Sequence, residues 1–160
     1  MLMDDKTLNS VPTLNLAFIG DGVYDLLVRE YLVTHSSAHV GELNQMKVDL
    51  VNCKSQAAFM KQIMEQLSEE ELDVYKRGRN TKVNSASKHS TLSDYHTATG
   101  MEALFGWLYL KGRQERINEL FTLIIEQGSL WKRELSPNGD CGIVEKSRSD
   151  HLIVYESVIP

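Results

Sequence analysis

The sequence predicts an all-α domain followed by a short non-helical tail, and three observations predict it. Prolines stand only at positions 12, 137 and 160, so residues 13–136 contain none. A proline inside a helix costs about 3 kcal/mol, and its absence leaves long helices open. The same stretch is rich in Leu, Met, Ala, Gln, Glu and Lys, all good helix formers. Strand-like alternation of apolar and polar residues is rare within it.

Helices are expected over 12–34, 40–52, 54–67, 69–78, 93–111 and 113–127. Pro12 suits the first turn of its helix. Ser68 with Glu71 reads as a capping box, and Glu69 and Glu70 favour the positive end of that helix. Gly112 separates two apolar stretches as a glycine just past a helix end would, and Gly128 is expected to end the last helix in the same way. Residues 78–93 are rich in Gly, Asn, Ser and Thr and read as a loop, long enough to be functional or mobile. From Ser136 the composition changes. Pro137, Asn138, Gly139, Asp140 and Gly142 are turn residues, and Leu152, Ile153, Val154 and Tyr155 form a short strand-like run. The chain therefore divides into one helical domain, 1–135, and a tail, 136–160, of unassigned role, strand-like or disordered.

Composition narrows the class. At 160 residues, 42% hydrophobic and 24% charged, the chain is one ordinary globular domain rather than a disordered or fibrous protein. No apolar run reaches the ~20 residues of a membrane span. The first ten residues carry Asp4 and Asp5 and lack the pattern of a secretory signal. Two cysteines, Cys53 and Cys141, stand far apart and read as reduced thiols of a cytoplasmic protein, with Cys53 expected in the core. A net charge of −5 argues against coating nucleic acid by bulk charge, but leaves room for a local basic patch.

Two acids lie in apolar helices. On the first long helix Leu16, Ile19, Val23, Leu26 and Leu27 gather on one side at 100° per residue. Asp21 and Asp25 lie opposite, beside Leu14, Ala17 and Phe18. Gly20 and Gly22 flank Asp21, each costing ~1 kcal/mol against alanine inside a helix, and close approach of another backbone or a ligand is a common reason for accepting that cost. Glu102 is the only acid between Tyr95 and Leu110, with small neighbours Thr99 and Gly106, while Met101, Leu104, Trp107 and Leu108 face a core. A lone carboxylate on such a helix asks for a partner. One partner is a hard cation held by both acids, since Mg²⁺ takes oxygen ligands from one or two carboxylates. The other is structural: Asp21 bound to an arginine or a backbone amide, and Glu102 partly exposed. Spacing alone leaves both open.

Residues 76–88 carry five basic side chains, Lys76, Arg77, Arg79, Lys82 and Lys88, inside an acidic protein. Asn80, Asn84 and nearby Ser and Thr add neutral hydrogen-bonding groups of the kind that contact phosphates. Few aromatics interleave, so shape recognition of a double helix fits better than base stacking on a single strand. A solvated polar loop is the alternative. The histidines show no metal-ligand spacing, and no phosphate loop, dinucleotide fingerprint or nucleophile elbow is present.

Taken together these segments resemble the ribonuclease III family. Phe18-Ile-Gly-Asp-Gly-Val is similar to its signature helix, and Thr99-Gly-Met-Glu-Ala-Leu-Phe-Gly to its second acidic motif. Leu43 to Ala57 is similar to its middle helices. Arg77-Gly-Arg-Asn, with the expected absence of a double-stranded-RNA-binding domain, points to the Mini-ribonuclease III branch, over residues 12–127. The resemblance implies a homodimeric, all-helical endonuclease that cuts double-stranded RNA with Mg²⁺, with the large-subunit ribosomal RNA precursor as substrate. It implies that Asp21 and Glu102 are catalytic and hold the metal, and that Phe18 packs at the dimer interface. Lys76, Arg77, Arg79, Asn80, Lys82 and Lys88 would dock the RNA. Larger homologues carry acids where this chain has Ala17 and Thr99, so the protein supplies fewer metal ligands. A non-catalytic RNA-binding dimer and a helical interaction protein are the alternatives, and the sequence leaves open whether a ribosomal protein assists.

Overall fold

A computed structural model describes residues 3–82 and 91–135; for 127–135 it describes the backbone alone. Among the described residues seven α-helices follow one another: α1 (Asp5–Asn9), α2 (Thr13–His35), α3 (Val40–Val51), α4 (Cys53–Ile63), α5 (Glu69–Arg79), α6 (Leu92–Leu110) and α7 (Gln114–Leu135). A 3₁₀ turn, Met64–Gln66, extends α4. No strand occurs among the described residues, and none of their helices is long and apolar enough to cross a membrane. The fold is all-α, as predicted.

Local signals explain most boundaries. Ser68 and Glu71 close the expected capping box, the Ser68 N–H donating to Glu71 at 2.8 Å and the Glu71 N–H to the Ser68 hydroxyl at 3.3 Å. Asn52 caps α4 and Thr91 caps α6. Gly112, at φ 73°, ends α6: its N–H reaches the Tyr109 carbonyl and the Arg113 N–H that of Leu108, a Schellman pair that needs the left-handed conformation glycine adopts freely.

Several expectations need correction. Pro12 is the N-cap of α2 and not its first residue. Helix α5 reaches Arg79, so Arg79 sits on its last turn and not in the loop expected from residue 78. Gly128 does not stop the last helix, which continues to Leu135; one interior glycine costs only ~1 kcal/mol, and strong helix formers follow it. The short α1 was not expected, because five residues are too few to show a helical period. Asp4 caps it, accepting from the Thr7 N–H at 3.0 Å, and Leu8 buries. Lys88, Cys141 and the tail from Ser136 lie outside the described residues.

Helix α6 is the centre of the molecule. It packs against α2, α4, α5 and α7. From Thr97 to Leu108 every residue except Glu102 is buried. Small residues allow the neighbours so close: a Cβ on Gly106 would lie 1.9 Å from the Leu16 carbonyl oxygen, and one on Gly100 2.7 Å from the Tyr75 ring. On α7, Arg116 donates to both oxygens of the buried Glu71, at 2.8 and 3.0 Å, and to the Gln66 carbonyl at 2.6 Å, tying α7 to α5.

Helix α2 is apolar on more than one side. Leu16, Ala17, Tyr24, Leu27, Val28 and Leu32 enter the core, whereas Leu26, which helical period groups with Leu16 and Leu27, is exposed. Leu14, Phe18, Gly22, Leu26 and Val33 share an exposed stripe at helical spacing. The sequence pattern marks both faces as apolar and does not say which of them the same chain covers. Cys53, expected in the core, is the first residue of α4 and half-buried.

Candidate active site

The two acids meet where α2 crosses α6. A Cβ on Gly20 would lie 1.7 Å from the backbone oxygen of Glu102 and 2.7 Å from the Gly106 nitrogen. Only a residue without a side chain fits there, so Gly20 brings the two helix backbones into contact one residue from Asp21. Gly22 has no atom within 4 Å of its Cβ position among the described residues, so close packing there explains only one of the two glycines.

The electrostatics report the same meeting. Glu102 is pushed up to about 7 from its ordinary 4.5, first by burial and then by the negative charge of Asp21, with Gln56 acting in the opposite direction. Asp21 itself is exposed, and not enclosed among apolar residues as its helical position had implied. Asp25 is taken up elsewhere, in ion pairs with Arg29 and with Lys47, the latter at 3.1 Å. Ala17 is buried core, and Thr99 is buried with its hydroxyl donating to the Tyr95 carbonyl at 3.0 Å, so neither position adds a carboxylate.

Two carboxylates are therefore the acidic part of this site, and among the described residues no group of three or more His, Cys, Asp or Glu gathers. The donor set suits a hard divalent cation such as Mg²⁺, which keeps several waters and needs few protein oxygens. Gln56, on α4, is the residue that sequence reasoning missed. Its amide is buried and unpartnered, and a polar residue among Ala57, Phe59 and Met60 was the only signal.

The basic residues separate. Arg79, Asn80 and Lys82 line an open cleft of about 730 Å³ with Thr81, Leu92, Ser93 and His96. Lys76 is exposed on the last turn of α5. Arg77 is also exposed but pairs with Asp73 at 3.4 Å. His96 is a second residue the sequence did not single out, and its Nδ1 is buried with no hydrogen-bond partner among the described residues. Phe18, one helical turn from Gly22 and Leu14, is 83% exposed.

Residues 14–113 match the Ribonuclease III domain, a span that holds both acids, Gln56 and the basic cleft. The chain belongs to the ribonuclease III family. Within that family it is similar to Mini-ribonuclease 3 of Clostridium tetani, with 39% identity over 75% of this chain and 80% of that one. It is 41% identical to Mini-ribonuclease 3 of a Thermoanaerobacter species, over 78% of this chain and 88% of the relative. A crystal structure of a Fusobacterium nucleatum protein superposes with a TM-score of 0.67 at 30% identity, covering 74% of this chain and 94% of that one. The ribonuclease III assignment and the helical architecture thus agree with the motif reading.

Proposed function

We propose that this ribonuclease III family member is a Mg²⁺-dependent endoribonuclease that cuts double-stranded RNA. The observation that carries the reading is the meeting of Asp21 and Glu102 at the crossing of α2 and α6. Two acids that repel each other are costly to keep together, and a shared cation removes that cost. When bound, Mg²⁺ supplies an activated water and neutralises charge at the leaving oxygen. Asp21 and Glu102 hold it from two rigid helices. Arg79, Asn80 and Lys82 receive backbone phosphates in their cleft, and Lys76, Arg77 and Lys88 extend the basic surface.

The finer substrate, the large-subunit ribosomal RNA precursor, is supported by the resemblance to Mini-ribonuclease III. Such a substrate places the protein in the cytoplasm. The exposed stripe around Phe18 supports a homodimer, because an apolar face on a helix otherwise sunk in the core is the kind of surface a second copy covers. A double helix has two strands, and a dimer presents one acid pair to each.

A gel assay of the purified protein with structured RNA, with and without Mg²⁺, tests the reading. Cleavage only with the metal supports it. A mobility shift without cleavage selects a binding module instead, a reading that Ala17 and Thr99 would then explain. Neither cleavage nor a shift selects an interaction protein.

A further inference from the structure

Gln56 is only 1% exposed, and neither its amide nitrogen nor its amide oxygen has a hydrogen-bond partner among the described residues. A buried amide with both ends unmet is unfavourable, and native proteins rarely keep one without a use. The surroundings on α4 do not require it. Ala57, Phe59, Met60 and Ile63 are buried and apolar, and an aliphatic side chain at position 56 would extend that face.

One charged group stands beside it. Gln56 lies close enough to Glu102 to favour the charged form of that carboxyl. The site at the α2–α6 crossing therefore has a third wall, supplied by α4, which packs along α6. An amide offers two functions at once: N–H groups that donate to a carboxylate and an oxygen that is a hard acceptor. Residues that orient metal-binding carboxylates through hydrogen bonds are a common part of such sites. Positions 17 and 99 add no further acid, since Ala17 is core and Thr99 is a buried residue whose hydroxyl donates to its own helix.

We propose that Gln56 is a positioning residue of the cation site, its amide nitrogen orienting the Glu102 carboxylate and its amide oxygen accepting from the cation's hydration shell. The inference rests on Asp21 and Glu102 being the cation site. It assigns Gln56 no contact with the scissile phosphate.

The test uses the full chain with Gln56→Met, which keeps length and removes both hydrogen-bonding ends, and Gln56→Glu, which restores an oxygen. Binding of Mn²⁺ without RNA is followed by electron paramagnetic resonance, and RNA cleavage is titrated with Mg²⁺. Gln56→Met is expected to keep its helical circular dichroism and a metal-free Tm at least equal to that of the parent. Its Mn²⁺ Kd should rise ~10-fold, and its half-saturating Mg²⁺ should rise in parallel. Gln56→Glu should bind Mn²⁺ more tightly than Gln56→Met. A merely structural glutamine would lower Tm and leave metal affinity alone. Parental Mn²⁺ affinity in Gln56→Met overturns the proposal; if that variant does not fold, Gln56→Leu is read the same way. Asp21→Asn separates the two levels. If it loses Mn²⁺ while Gln56→Met keeps it, only the role of Gln56 falls. If it also keeps Mn²⁺, the cation site itself falls.

Discussion

Gly20 of α2 rests against the backbone of Glu102 on α6, so close that a methyl group on Gly20 would sit 1.7 Å from the Glu102 carbonyl oxygen. This contact sets the spacing of the two acids. Gly20→Ala must push the helices apart, and buried overpacking of this kind typically costs about 1–3 kcal/mol, more when backbone is the obstacle. Thermal unfolding should show a lower Tm and weaker divalent-cation binding together. Gly22→Ala meets nothing within 4 Å among the described residues and should keep the helical fold. Equal tolerance of alanine at both positions would contradict the close crossing.

The carboxyl of Glu102 gives a signed pH prediction. Burial first, and Asp21 second, raise it to about 7 from 4.5. Between these values the folded chain binds more protons than the unfolded one, so metal-free stability should fall as pH rises from about 4.5 to about 7. Glu102→Gln removes that slope. In chelator, the Tm of the variant should exceed that of the parent by ~2–6 °C at pH 8 and match it near pH 4. Parallel profiles would show that the Glu102 carboxyl is not raised in the folded chain.

Asp21→Asn keeps the shape of the side chain and removes its charge. Because Asp21 is exposed and Gly20 makes the packing contact, folding should be nearly unchanged. Cleavage of structured RNA at saturating Mg²⁺ should fall by roughly 10²-fold or more, the scale of losing a group that stabilises charge at the reaction centre. A variant cutting near the parental rate removes Asp21 from the chemistry.

Among the described residues Arg116 is the one strong partner of the buried Glu71 outside its own capping box. Burial opposes the charge on Glu71, and the hydrogen bonds from Arg116 and Ser68 outweigh it, holding the carboxyl below its ordinary value. Arg116→Met should therefore cost about 3–5 kcal/mol, since it strands a buried charge. Adding Glu71→Gln should recover part of the loss, measured by denaturant unfolding. Strictly additive losses would mean that the pair is not coupled.

Phe18, 83% exposed on an apolar stripe with Leu14 and Leu26, should lie in a homodimer. Phe18→Glu is expected to yield a folded monomer by light scattering, with unchanged helical content. A parental mass in solution would place the interface, if any, elsewhere.

Local chemistry was legible from the residues alone. The missing prolines, the Ser68–Glu71 box and Gly112 announce helices and their ends, because a cap or a breaker acts within a few residues of itself. The burial of Met101, Leu104, Trp107 and Leu108 was readable for a related reason: helical period shows which residues share a face. Period does not show what covers that face. On α2 two apolar sides compete, and only packing sent Ala17 and Tyr24 inward and left Leu26 and Phe18 outside. The same holds for the site. Asp21 and Glu102 were each conspicuous in their own helix, but their encounter depends on how two distant helices cross. Gln56 was inconspicuous, since a glutamine is costly only once its helix packs against α6 and buries it. Burial and repulsion are properties of assembled neighbours, and no single stretch of chain contains them.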